Sequence, residues 1–142
     1  KYRIVLEQDE DGVFVAEAPA LPGCITQGDT REQALANAKE AVELYLESLR
    51  ENGEPVPPPM EEATIEVTAD VLPRISGREA VEAFGKLGYE FDRQRGSHMI
   101  LRKLDPPPPP LVIPNHREIA KGTLRALIRQ AGLSVEDFRN LL

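Results

Sequence analysis

Residues 93–103, Arg93-Gln94-Arg95-Gly96-Ser97-His98-Met99-Ile100-Leu101-Arg102-Lys103, read as the arms and turn of a β-hairpin that carries its cations at the turn. Before Gly96, Tyr89, Phe91 and Arg93 alternate with Glu90, Asp92 and Gln94. After it, Ser97, Met99 and Leu101 fall on one face and His98, Ile100 and Arg102 on the other. Period-two alternation around a glycine is the signature of paired strands. Upstream, Ser76 and Glu79 form a capping-box pair that opens a short helix, with Ala80, Val81, Phe84 and Leu87 inward and Gly88 as its stop. Downstream, Asp105 and Pro106 to Pro110 form a stiff bridge to a third strand, Leu111-Val112-Ile113, closed by Pro114-Asn115-His116. Gly122 and Thr123 start a second helix that Gly132 ends, and a final turn or two runs from Ser134 to Leu142. The order is α-β-β-β-α.

The first half has a different plan. Tyr2, Ile4 and Leu6 alternate with polar residues, acids and Gly12 make a turn, and Val13 to Ala18 resumes as a second strand. Leu21-Pro22-Gly23 turns the chain into a short third strand, Cys24 to Gln27. Thr30 and Gln33 form a capping pair before apolar residues at Leu35, Ala38, Ala41, Val42, Tyr45 and Leu49, the spacing of an amphipathic helix that stops at Asn52-Gly53. Its outer face is expected to carry Glu32, Glu40, Glu43, Glu47 and Glu51. Beyond the prolines of 55–59, Ile65, Val67 and Ala69 predict a fourth strand, giving β-β-β-α-β. The fold class is therefore α+β, in two units at 1–71 and 72–142.

Charge divides at the same joint. The whole chain of 142 residues has 17 Lys+Arg, 24 Asp+Glu and a net charge of −7, which taken as an average argues against nucleic acid. Residues 1–71 hold 5 Lys/Arg and 16 Asp/Glu, net −11, whereas residues 72–142 hold 12 and 8, net +4. Such asymmetry marks acidic and basic functional segments. Mean hydropathy is −0.35 and no apolar run reaches membrane-spanning length, so no membrane partner is expected. One cysteine, Cys24, and no leader-like segment before the first strand make the cytoplasm the expected compartment. Asp9, Glu10 and Asp11 adjoin one another in a turn and point different ways, so no metal site is expected there, and Cys24 is expected to be packed rather than reactive. No cofactor is expected.

The run Glu10-Asp11-Gly12, Ala16-Glu17, Leu21-Pro22-Gly23-Cys24 and Gly28-Asp29-Thr30 into the Ala-rich helix resembles the core of the HicB antitoxins. That resemblance implies a partial ribonuclease-H-like fold and toxin binding. Many such antitoxins carry a DNA-binding segment after the fourth strand; nothing of that kind follows here, so DNA binding is not expected. Leu72-Pro73-Arg74-Ile75-Ser76-Gly77, Arg93-Gln94-Arg95-Gly96-Ser97-His98, Pro114-Asn115-His116, Gly122-Thr123-Leu124 and Gln130-Ala131-Gly132 resemble the HicA toxins in motif and order. This second resemblance implies a double-stranded-RNA-binding-like fold and mRNA endoribonuclease activity. It also implies that His98, in the Gly-Ser-His motif, is the catalytic histidine; where members often have a second histidine, this chain has Met99.

The residues suit that chemistry. Metal-independent RNA cleavage needs a base for the 2′-OH, an acid for the 5′-oxygen and cations for the phosphorane charge, and histidine suits proton transfer near neutral pH. Arg93, Arg95, Arg102 and Lys103 flank His98, and Ser97 is placed to orient phosphate. Lys121, Arg125 and Arg129 recur at four-residue steps on the outer face of the last main helix, a stripe suited to RNA phosphates. His116 is expected to hydrogen-bond the next loop. The acidic half is expected to cover the basic hairpin and compete with mRNA. The short connection from Ala69 to Ser76 leaves docking open within one chain or across two, and a homo-oligomer is expected. A non-catalytic RNA-binding or regulatory module is the second reading.

Overall fold

The computed structural model describes residues 1–57, 71–104 and 107–142. The fourth strand expected at 65–69, Pro58, Pro59, Asp105 and Pro106 lie outside them. The fold is α+β: a three-stranded sheet and a long helix, then a helix, a second three-stranded sheet and two helices. Strands β1 (Val5–Gln8), β2 (Phe14–Glu17) and β3 (Ile25–Gly28) form an antiparallel meander. Asp9 makes the first turn, its carboxylate accepting the N–H groups of Asp11 and Val13 at 3.0 Å.

Helix α1 (Arg31–Glu51) starts as its sequence predicts, with the Thr30 hydroxyl accepting from Gln33 N. The reciprocal bond differs, because the Gln33 side chain accepts from Asp29 N. Its small inner residues, Ala34, Ala38 and Ala41, let it lie close against the sheet, and Leu44, Tyr45 and Leu49 complete its buried face.

Helix α2 (Gly77–Gly85) has the full capping box between Ser76 and Glu79. Strands β4 (Tyr89–Arg95), β5 (His98–Lys103) and β6 (Leu111–Pro114) pair antiparallel in that order. A bulge between Phe91 and Arg93 leaves Asp92 as the extra residue, so the simple alternation expected for this strand is interrupted there. Helices α3 (Lys121–Gln130) and α4 (Val135–Arg139) follow.

Neither half keeps its apolar residues to itself. One core joins Val15 and Ile25 of the first sheet to Leu101, Ile113, Leu124 and Phe138. The other joins Leu21, Cys24, Leu44 and Tyr45 to Ile100 and Val112. Strand β5 alternates as expected, but both faces are buried, with Leu101 in one core and Ile100 in the other. Val112 N donates to Gly23 O at 2.9 Å, a backbone bond between the halves. Fully burying one such aliphatic side chain is worth about 1.5–3 kcal/mol, so apolar packing supplies most of the docking energy. Among the described residues, no helix is long and apolar enough to cross a membrane.

Candidate functional site

Glutamates at 40, 43, 47 and 51 follow one another at three- and four-residue steps, which places them along one face of α1. That face is not the solvent face expected from the sequence; it lies along the basic hairpin. Arg93 pairs with Glu47 at 3.0 Å and Glu51 at 2.8 Å, and Arg95 with Glu43 at 3.0 Å and Glu47 at 3.5 Å. Arg102 pairs with Glu54 and donates to Ser48 Oγ at 3.0 Å, while Ser48 Oγ donates to Asp92 at 2.6 Å. The bulge thus brings Asp92 to the helix.

His98 sits at the head of this ladder and has no exposed surface. Its Nδ1 lies 2.7 Å from Glu40 Oε1 and its Nε2 lies 2.6 Å from the Thr26 hydroxyl. Glu40 also accepts from Ser97 N at 3.1 Å. Burial raises the Glu40 pKa, but the hydrogen bond and charge of His98, the Ser97 amide and Arg95 outweigh it and hold the carboxyl below its ordinary 4.5. An ionised Glu40 accepts a hydrogen bond from Nδ1–H, which leaves Nε2 to accept from the hydroxyl of Thr26, itself 1% exposed. Burial pushes the His98 pKa below its ordinary 6.5, against the pull of Glu40, and His116 adds to the lowering. The imidazole is neutral at pH 7.

These shifts share one sign. Both folded-state pKa values lie below their unfolded values, so each group favours the folded chain above its unfolded pKa and loses that contribution as pH falls. Unfolding free energy should be level above about pH 7, fall below 6.5 as His98 charges, and fall again below 4.5. Urea titrations between pH 4 and 8 on the chain and on His98→Gln check this: equal slopes in both between pH 5 and 7 would be incompatible with it.

A second contact faces the first sheet. Lys121 approaches Asp11 at 3.8 Å, Arg125 meets Glu10 at 2.8 Å and Arg129 meets Glu17 at 3.4 Å. This stripe, expected on an outer solvent face, lines the contact with the other half. Asp9 accepts from Gly122 N at 3.2 Å, at the start of α3. Lys103 stands apart from both ladders, 5.8 Å from the Tyr89 ring centroid. The His116 ring reaches Gln27 of β3 at 3.2 Å rather than its own next loop.

Sequence reading missed Thr26, Gln27, Ser48 and Glu54, all of which touch the candidate residues from the other half. Cys24 is buried, with its thiol pushed up to about 12 by desolvation first and Glu17 second, which fits a packing role. Among the described residues, no cluster of His, Cys, Asp and Glu is arranged to hold a metal. The contact closes within one chain, between the hairpin and both α1 and β3, so the length of the 69–76 connection does not force exchange between chains.

Comparison with known proteins identifies the two partners in this contact. The family described as HicB-like antitoxin of the bacterial toxin-antitoxin system matches residues 2–72, and the HicA toxin family of bacterial toxin-antitoxin systems matches residues 77–133. A UPF0150 protein of Thermoplasma acidophilum is 51% identical over 57 residues, 40% of this chain and 83% of its own length. A second UPF0150 protein, from Synechocystis, is 50% identical over 56 residues, 39% of this chain and 71% of its own. Antitoxin HicB 1 of Photorhabdus laumondii is 34% identical over 77 residues, 53% of this chain and 50% of its own. No solved structure gives a significant match.

An acidic helix laid on a basic hairpin, with an antitoxin match on one side and a toxin match on the other, defines a toxin-antitoxin module in a single polypeptide. The chain belongs to the HicB-like antitoxin family through residues 2–72, and carries its HicA toxin partner in residues 77–133.

Proposed function

We propose that the chain is a self-inhibited mRNA endoribonuclease. Residues 72–142 form the toxin unit and residues 1–71 the antitoxin unit, both in the cytoplasm. His98 is the catalytic base, and Arg93, Arg95, Arg102, Lys103, Lys121, Arg125, Arg129 and Ser97 N–H receive RNA phosphates. The observation that carries this reading is the engagement of both His98 ring nitrogens by Glu40 and Thr26. Carboxylates on Arg93 and Arg95 support it, because those guanidiniums are then occupied by the same kind of oxygen that RNA would present. Neutral His98 is the form a base requires, and such proton transfer is typically worth about 10²–10⁴ in rate.

The test sets the chain against a released variant, Thr26→Arg on β3 with Glu40→Ala, Glu43→Arg and Glu47→Arg on α1, on a labelled transcript in chelator; Thr26 is buried against His98, so a guanidinium there drives β3 off the ring while the charge reversals loosen α1. The unaltered chain should be near silent and the released variant should cleave. Adding His98→Ala should remove about 10²–10⁴ of the gained rate. Cleavage that survives His98→Ala would overturn the catalytic assignment. Salt-sensitive RNA retention with no cleavage would favour the non-catalytic module.

A further inference from the structure

The proposed base leaves the leaving-group oxygen without a proton donor. His98 opens β5 directly opposite Pro114, the last residue of β6, and Asn115 N donates to Ser97 O at 2.7 Å, carrying the pairing one residue further. His116 therefore sits at the same corner of the sheet as His98. His116 lies two residues beyond Pro114, diagonal to His98 across the strand pair. Consecutive residues of β3 hold them: the Thr26 hydroxyl on His98 Nε2 at 2.6 Å, and the Gln27 amide on His116 Nδ1 at 3.2 Å.

The orientation of the Gln27 amide follows from its other bonds. Its Oε1 accepts from Ala120 N at 2.6 Å, and its Nε2 also reaches Glu118 O at 3.4 Å. Nε2 therefore faces His116, whose Nδ1 accepts. His116 is only half-buried and lines a surface cavity of about 520 Å³ with Arg74, Arg117 and Lys121 and the carboxylates of Asp11, Asp29 and Glu118. Strand β3 thus engages one nitrogen of each imidazole.

We infer that His116 is the general acid of the proposed ribonuclease, paired with His98 as base, and that Thr26 and Gln27 occupy the seat of the scissile phosphodiester. The inference rests on the ribonuclease reading. With β3 withdrawn, His98 Nε2 takes the proton of the 2′-OH, the 2′-oxygen forms a bond to phosphorus, and the bond from phosphorus to the 5′-oxygen breaks. Protonated His116 gives its Nδ1 proton to that departing oxygen. The products are a 2′,3′-cyclic phosphate and a 5′-OH, and each histidine ends in the other's starting protonation state. Arg117 and Lys121 line the same cavity as His116.

Two substrates separate the roles in the released variant of the full chain. An RNA oligonucleotide has a 5′-alkoxide leaving group that needs a proton; a nucleoside 3′-(4-nitrophenyl phosphate) has one that departs without it. His116→Ala should lower kcat on RNA by about 10²–10⁴ and leave the nitrophenyl ester within about fivefold. His98→Ala should lower both. His116→Asn, which keeps a hydrogen-bonding partner for Gln27, should behave as His116→Ala does. Equal losses on both substrates, or no loss on RNA, would overturn the acid assignment while His98-dependent cleavage keeps the ribonuclease reading. A variant in which amide exchange shows β3 released and β4–β6 still protected, yet which cleaves neither substrate, would overturn both.

Discussion

Glu40→Ala is expected to destabilise the folded chain by about 2–5 kcal/mol, several times more than truncation of its neighbours in the ladder. Glu40 is the acceptor for two groups at once, Ser97 N at 3.1 Å and His98 Nδ1 at 2.7 Å. His98 is fully buried with the Glu40 carboxylate over its Nδ1, so truncation removes the protein acceptor of that N–H. Each buried donor left unsatisfied costs about 1–3 kcal/mol; His98 Nδ1 is one, and the half-buried Ser97 N–H adds to it. Glu43, by contrast, makes one pair with Arg95 in which both side chains are more than two-fifths exposed. Pairs of that kind are worth about 0–1 kcal/mol. Urea denaturation of Glu40→Ala, Glu40→Gln and Glu43→Ala gives the comparison. Glutamine keeps one acceptor oxygen in place and should fall between the other two. Similar losses for Glu40→Ala and Glu43→Ala would mean that His98 is not held as described.

The unequal worth of these glutamates bears on how the halves recognise each other. Leu21, Ile100 and Val112 lie in one core and Ile25, Leu101 and Leu124 in the other, so the docked state is held chiefly by burial. The ladder of half-exposed pairs adds little energy but fixes which face of α1 meets the hairpin, since a rotated helix would set apolar side chains against Arg93 and Arg95. Charge complementarity of this kind contributes orientation and speed of docking more than affinity.

Much of this was legible because it is local. The Ser76 capping box, the glycine turn at 96 and the alternation of β5 are written in residues a few positions apart, and the structure has each of them. The α1 glutamates were equally visible as a stripe, yet their partners lie some fifty positions away. Periodicity reports a face, not what covers it. The same holds for Lys121, Arg125 and Arg129, whose acidic partners are more than a hundred positions distant. Thr26 and Gln27 gave no signal beyond strand termination, because a polar pair at a strand end is ordinary until the histidine rings opposite are known. The bulge at Asp92 has no glycine or proline to announce it; the Ser48 and Arg93 contacts of its carboxylate are what occupy the extra residue.

The sharpest test of the joint between the halves is Gly23→Ala. Gly23 has φ +89°, in the left-handed region, and an added Cβ would lie 2.0 Å from the backbone oxygen of Pro110. The left-handed conformation alone costs alanine about 1–2 kcal/mol. The clash cannot be relieved by turning a side chain, because the obstacle is main chain at the entry to β6. Relief requires moving either the Leu21–Cys24 turn or the proline run. The turn is pinned by Tyr45, whose hydroxyl donates to Pro22 O at 2.7 Å, and the run leads into Val112, whose N–H donates to Gly23 O. Overpacking of this kind adds about 1–3 kcal/mol and the weakened backbone bond about 1 more, giving a loss of about 3–6 kcal/mol. Gly53→Ala is the matched control, with φ +65° and nothing near its added carbon, so it carries the conformational strain alone. Because Leu21 and Val112 share one core, Gly23→Ala should lower the stability of the whole chain in a single transition, followed by circular dichroism in urea. A loss no greater than that of Gly53→Ala would show that β6 does not approach the antitoxin turn as closely as described, and two separated transitions would show that the halves fold independently.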